Sequence, residues 1–249
     1  DSIEEVCVQA SKEYNLEKAL VRMHAEWDSV TLQLKSYKGT HILRSATTDE
    51  VQLLLDEHIV KGQTMQASRY AKALGKRIKE WVDSLNLIQD VLEAWLACQS
   101  TYLYLEPIFS SDDIMQQMPE EGVKFQTVHE MWCDVMRVAR AAPAAFTAMR
   151  QQDLLDRLKE ANQELETIMS GLNAYLETKR LYFPRFFFLS NEELLEILAE
   201  TKDPHRVQKH LPKCFEGIAR LAFDEHNDIR AMFSKQGERL DFMPLPKRD

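Results

Sequence analysis

Several residue pairs in this chain are of types that do chemistry, and each lacks the company that the chemistry needs. Asp112-Asp113 is the kind of aspartate pair that helical metal-dependent enzymes use to bridge magnesium to a diphosphate. A chelating face requires another carboxylate one turn on, and Ile114-Met115-Gln116-Gln117 supplies none. Ser110-Ser111-Asp112-Asp113 reads better as a helix N-terminus, where short oxygen-bearing side chains accept free N–H groups and negative charge meets the helix dipole favourably. His129-Glu130 has no second histidine four residues after the first, so the helical zinc-protease pattern fails. His205 and His210, five apart, read as ordinary surface side chains. Gly75-Lys76 is followed by Arg77 rather than a hydroxyl residue, and Tyr70 takes the place of the first glycine of a phosphate loop. Gly122 and Gly217 stand alone, which leaves no dinucleotide fingerprint. The expectation is a chain with no catalytic, cofactor-binding or metal-ligating residues.

The cysteines and aromatics read the same way. Cys7, Cys98, Cys133 and Cys214 show no C-x-x-C spacing, which argues against a disulfide-stapled secreted fold or a zinc ribbon and suits a reducing compartment. Cys98 and Cys133 fall in helical stretches, where cysteine acts as a small apolar filler. Tyr102, Tyr104, Phe109, Phe186, Phe187 and Phe188 could stack bases only with interleaved Lys and Arg, and are read as core.

Composition sets the class. Of 249 residues, 45% are hydrophobic and 29% charged, a folded rather than disordered balance. Seven glycines and eight prolines leave few turn residues, so the chain should be mostly helix. A net charge of −9 lacks the positive field of a general nucleic-acid binder. The longest uncharged stretch, Ala94 to Leu105, is shorter than the roughly 20 residues of a membrane span. Neither nucleic acid nor membrane is an expected partner.

The elements follow from periodicity. Leu16, Leu20, Met23, Trp27 and Val30 form one helical stripe. Val30, Leu32 and Leu34 then alternate toward Lys38-Gly39 and His41-Ile42-Leu43, which predicts a β-hairpin, and Asp49 is placed to cap a helix through about Val60. Leu74, Ile78, Trp81, Leu85, Ile88, Leu92, Trp95, Gln99 and Tyr102 recur at steps of four and three, a helix of about 30 residues or roughly 45 Å, stopped by Pro107. A helix from Thr127 to Ala142 breaks at Pro143, and a second long row from Leu158 to Tyr175 ends before Pro184.

Beyond Pro184 the pattern changes. Arg185-Phe186-Phe187-Phe188-Leu189 suits a buried strand, and Ser190 with Glu193 forms a capping box. Asp203-Pro204 opens another helix, and Ile229 to Phe233 with Leu240 and Phe242 predicts a second hairpin around Gly237. The fold class is mainly α: an elongated helical bundle with two or three short β-hairpins or strands. Subunits at residues 1–60, 61–142 and 143–249 are expected.

Two segments carry a resemblance. Tyr102-Leu103-Tyr104-Leu105-Glu106-Pro107-Ile108-Phe109-Ser110-Ser111-Asp112-Asp113-Ile114 resembles the "YLEPIFSSEDI" signature of the dynein heavy chain linker in its axonemal form. Lys179-Arg180-Leu181-Tyr182-Phe183-Pro184-Arg185-Phe186-Phe187-Phe188-Leu189-Ser190 with Asn191 to Leu198 is similar to the family's "KR-FPRFFFLS-ELLEIL" segment. Thr201-Lys202-Asp203-Pro204 and Lys213-Cys214-Phe215-Glu216-Gly217-Ile218 continue it in order, and the likeness runs from about Trp27 to Phe242.

The resemblance implies a mechanical part of an axonemal motor in cilia or flagella: residues 1–249 as a fragment of the linker, cut from a longer chain. In that family the linker lies across a ring of six AAA+ modules and bends and straightens as the ring binds and hydrolyses ATP with magnesium. It implies the ring, other dynein subunits and, through the whole chain, microtubules as partners, and no cofactor in this segment. The helix stops make Pro107, Pro143 and Pro184 the candidate bend positions. The alternative is a passive helical scaffold that offers Leu74 to Tyr102 to a partner helix.

Overall fold

The computed structural model describes residues 2–199 and 204–242. Among them the order is α1 (Ser2–Asp28), β1 (Leu34–Tyr37), β2 (Thr40–Leu43), α2 (Ser45–Gln66), α3 (Gly75–Phe109), α4 (Asp112–Gln117), α5 (Pro119–Ala141), α6 (Ala145–Ala148), α7 (Leu154–Tyr182), a 3-10 helix (Pro184–Phe188), α8 (Asn191–Ala199), a second 3-10 helix (Pro204–His210), α9 (Leu211–Cys214) and strands β3 (Arg220–Phe223), β4 (Ile229–Phe233) and β5 (Arg239–Asp241). The expected class, mainly α with short strands, holds. Packing divides the chain into two compact units, Asp1–Tyr102 with Gln126–Leu165, and Leu103–Phe125 with Glu166–Asp249. The boundary expected after residue 60 falls inside α2, whereas that after residue 142 follows directly on the end of α5.

In the first unit the α1 stripe buries Leu20, Met23 and Trp27, as its spacing predicts. β1 and β2 pair antiparallel in the register Leu34↔Leu43 to Tyr37↔Thr40. Lys38 and Gly39, both at positive φ, make the turn, and glycine takes that conformation without a Cβ clash. The strand does not start at Val30. Residues 30–32 pair instead with the chain around Pro143: Leu32 N–H donates to Pro143 O at 2.7 Å and Ala145 N–H to Val30 O at 2.9 Å. α2 begins four residues before the expected cap, so Asp49 lies inside the helix; its N-cap is Arg44, which makes no side-chain cap. Thr48 Oγ1 donates to Ser45 O at 2.8 Å within that first turn.

In the second unit α4 begins at Asp112 with both aspartates in the first turn, as read from the sequence, but its N-cap Ser111 makes no side-chain cap hydrogen bond. Phe109 and Phe125 stack with centroids 5.3 Å apart. The aromatic run after Phe183 is not a buried strand. Pro184 fixes a helical φ at the first position and the run turns into a 3-10 helix that leaves Phe187 53% and Phe188 67% exposed. The capping box forms: Ser190 N–H donates to Glu193 Oε2 at 3.1 Å, and Glu193 N–H to Ser190 Oγ at 3.3 Å. Asp203 lies outside the described residues, and Pro204 opens a 3-10 helix rather than an α-helix. The second hairpin, β4 with β5, gains β3 on its other edge to make the order β3-β4-β5.

Candidate functional site

What the first unit builds most completely is a buried stripe along α3. Ile78, Leu85, Ile88, Leu92, Cys98 and Tyr102 are fully buried, with Trp81 and Trp95 nearly so. Each such apolar side chain contributes roughly 1.5–3 kcal/mol by leaving water. The row is therefore interior, not the open docking surface that a scaffold reading would need. Trp81 stacks on Phe146 at 5.2 Å, and His24 lies 3.8 Å from Trp81. Asn162 Nδ2 donates to Ala94 O at 2.9 Å, fastening α7 to the same helix.

The one polar member of the stripe fastens the hairpin. Gln99 Oε1 accepts from Leu43 N–H at 2.7 Å, and Gln99 Nε2 donates to Leu43 O at 3.1 Å. On the other side of the hairpin, Trp132 Nε1 donates to His41 O at 3.1 Å. In the sequence Gln99 shows only as the lone amide in the apolar row, and that break in the row is the signal of its role.

A buried histidine joins α1 to α2. Trp27 Nε1 donates to His58 Nδ1 at 3.1 Å, so the ring proton sits on Nε2, which donates to Glu26 Oε2 at 2.9 Å. Arg22, and then His58, hold the Glu26 carboxyl below its usual range.

In the second unit His210 is not the surface side chain expected from its position. It is 5% exposed, with Nε2 3.0 Å from Glu196 Oε2 and Nδ1 3.9 Å from Glu193 Oε1. Lys209 pairs with Glu196 and Lys213 with Glu193, so α8 is clasped to the segment 204–214. Arg185 Nη1 donates to Cys214 O at 2.9 Å while its guanidinium lies 4.6 Å from the Phe215 ring centroid. Arg180 Nη2 donates to Leu189 O and to Asn191 Oδ1. These partners are 9 to 29 residues apart, too far for any local pattern to announce. An apolar cleft of 350 Å³ is lined by Leu103, Tyr104, Ile108 and Ile114 on one side and Leu195 and Ala199 on the other. Burial, with the nearby Glu192 charge, pushes the Tyr104 phenol up.

Pro107 lies inside α3, which runs on to Phe109. It does not stop the helix: only one N–H is lost so near the end, and Glu106 O accepts from Ser110 N–H at 3.0 Å and Ser110 Oγ at 2.8 Å. Pro143 sits between α5 and α6, and Pro184 opens a 3-10 helix. Burial pushes the Cys98 thiol up to about 12, as suits an inert filler. Among the described residues no group of three or more His, Cys, Asp or Glu could hold a metal ion, and no helix is long and apolar enough to cross a membrane.

Long helices locked by buried stripes and side-chain clasps define a helical structural segment. The chain belongs to the dynein heavy chain family: the family described as "Dynein heavy chain, N-terminal region 2" matches residues 1–248. It is 51% identical over 245 residues to dynein axonemal heavy chain 12 of Mus musculus, covering 98% of this chain and 8% of that protein. It is 50% identical over 243 residues to dynein axonemal heavy chain 3 of Homo sapiens (98% of this chain, 6% of that protein), and 47% identical over 248 residues to dynein axonemal heavy chain 1 of Mus musculus (99% and 6%). The chain thus spans less than a tenth of the length of these relatives.

Proposed function

We propose that this chain is a length of the linker, the lever arm of an axonemal dynein heavy chain in cilia or flagella. It bends and straightens across the AAA+ ring of the same heavy chain and converts ATP hydrolysis there into force on microtubules. It takes no catalytic part in that hydrolysis; ATP and magnesium belong to the ring. The observation that carries this reading is the continuous buried row of α3, in a chain whose relatives are axonemal heavy chains. A lever needs stiffness, and a 35-residue helix of about 52 Å, packed along one face, supplies it. Pro107 near the end of α3, Pro143 between α5 and α6, and Pro184 at the start of a 3-10 helix are the proposed bend positions. In the whole motor, label pairs flanking each proline should report a distance change between nucleotide states at one of them at least; constant distances at all three would remove the bend assignment. Purified chain should show no ATP turnover, and magnesium-dependent hydrolysis would contradict the division of labour.

A further inference from the structure

Tyr102, His129 and Cys133 stand in line in the first unit. His129 and Cys133 are four residues apart on α5, so their side chains share one helix face, and Nε2 of His129 lies 3.6 Å from Cys133 Sγ. The other ring nitrogen, Nδ1, lies 2.8 Å from the Tyr102 hydroxyl. Tyr102 is itself fully buried and stacked on Trp132 with centroids 5.0 Å apart, so the phenol is a fixed anchor for the imidazole. Cys133 is half-buried, whereas Cys98 is buried. The neighbouring Asp134 carboxylate is engaged by Arg157 at 2.8 Å and Arg137 at 2.6 Å, which offsets the negative charge that would oppose a thiolate beside it.

We infer that Cys133 is a thiol-modification site for small peroxides, with His129 as its base and Tyr102 as the positioning residue that orients the imidazole. A nucleophile, a base within reach and a third group that orients the base is the arrangement by which buried thiols are activated. In the tautomer that carries the proton on Nδ1, Nδ1–H donates to the phenol oxygen and the Nε2 lone pair faces the thiol. When a hydroperoxide reaches the sulfur, the thiol proton passes to Nε2. The sulfur electron pair attacks the near peroxide oxygen, the S–O bond forms and the O–O bond breaks. The leaving hydroxide takes the proton from Nε2 and departs as water. Sulfur is oxidised by two electrons to the sulfenic acid and the peroxide is reduced by two. The inference is independent of any lever function, because it rests on this geometry alone.

The chain contains its own references: Cys7 is exposed, and Cys98 is buried with its thiol pushed up to about 12. The 249-residue chain is treated with hydrogen peroxide, sulfenic acid is trapped with dimedone, and each cysteine is followed by mass spectrometry. Cys133 should oxidise at least about 100-fold faster than Cys7, the lower end of what a positioned base supplies. His129→Gln keeps a polar side chain at the position but cannot take the proton, and should bring Cys133 down to the rate of Cys7. Tyr102→Phe keeps the ring stack and should lower the rate while leaving Cys98 unreactive, which shows that the fold is intact. Cys133 reacting no faster than Cys7, or an unchanged ratio in His129→Gln, would overturn the assignment.

Discussion

Gln99 grips Leu43 by both of its main-chain groups, at 2.7 and 3.1 Å, so a side chain of α3 completes the edge of a two-stranded hairpin. Removing the amide leaves a donor and an acceptor of Leu43 without that partner in a part-buried position, at a cost of about 1–3 kcal/mol. Gln99→Ala should lower the urea midpoint accordingly, and the Leu43 amide should exchange faster with solvent than in the parent chain.

The α3 stripe should be the most sensitive part of the first unit. Leu92 is fully buried, and Leu92→Ala should cost about 2–5 kcal/mol through lost transfer energy and a cavity. Leu53 on α2 is 72% exposed, and Leu53→Ala should stay within about 0.5 kcal/mol. Denaturant unfolding of the two variants side by side checks the contrast.

Two helical glycines should respond oppositely to the same change. A Cβ on Gly62 would stand 2.6 Å from Cγ2 of Val82, a branched side chain with little rotameric freedom. Gly62→Ala should therefore destabilise by about 1–2 kcal/mol even after the helix-propensity gain of about 1 kcal/mol. At Gly171 the nearest atoms to the Cβ would be those of the flexible Glu121 side chain, Oε1 at 2.6 Å and Cγ at 3.0 Å, which can swing aside. Gly171→Ala should be neutral or stabilising by up to about 1 kcal/mol, as thermal melts of both variants would show.

The clasp on α8 should loosen in acid. Lys213 and the Ser190 backbone N–H hold the Glu193 carboxyl below its usual range, and Lys209 does the same for Glu196. Because both folded-state values lie below the unfolded one, their stabilisation is complete above about pH 4.3 and drains away as pH falls through the depressed values. Amide exchange in α8 and α9 should accelerate below about pH 4, and Glu193→Gln with Glu196→Gln should flatten that dependence. High salt should weaken the clasp at neutral pH, since its lysines are exposed.

The parts legible in the sequence are those whose cause is local. The α3 row from Leu74 to Tyr102, the Lys38-Gly39 turn and the Ser190/Glu193 box each show within one or two turns of chain. Phe186 to Phe188 misled because an aromatic run reads as a strand, while Pro184 decides the backbone. Asp49 misled because a good capping residue also fits inside a helix already begun at Ser45. β3 has only four residues and takes its identity from pairing with β4. His210 is buried by Glu196 and Glu193, carboxylates 14 and 17 residues earlier in the chain, contacts that no spacing rule reveals.

The lever account is tested most directly in a whole heavy chain carrying this segment. One fluorophore would be placed at exposed Leu53 on α2 and a second on the AAA+ ring, and energy transfer followed through the ATPase cycle. The account predicts a distance that changes between the ATP-bound and nucleotide-free states and reverses on each turnover. A distance that stays constant through every nucleotide state, while the ring hydrolyses ATP, would contradict it.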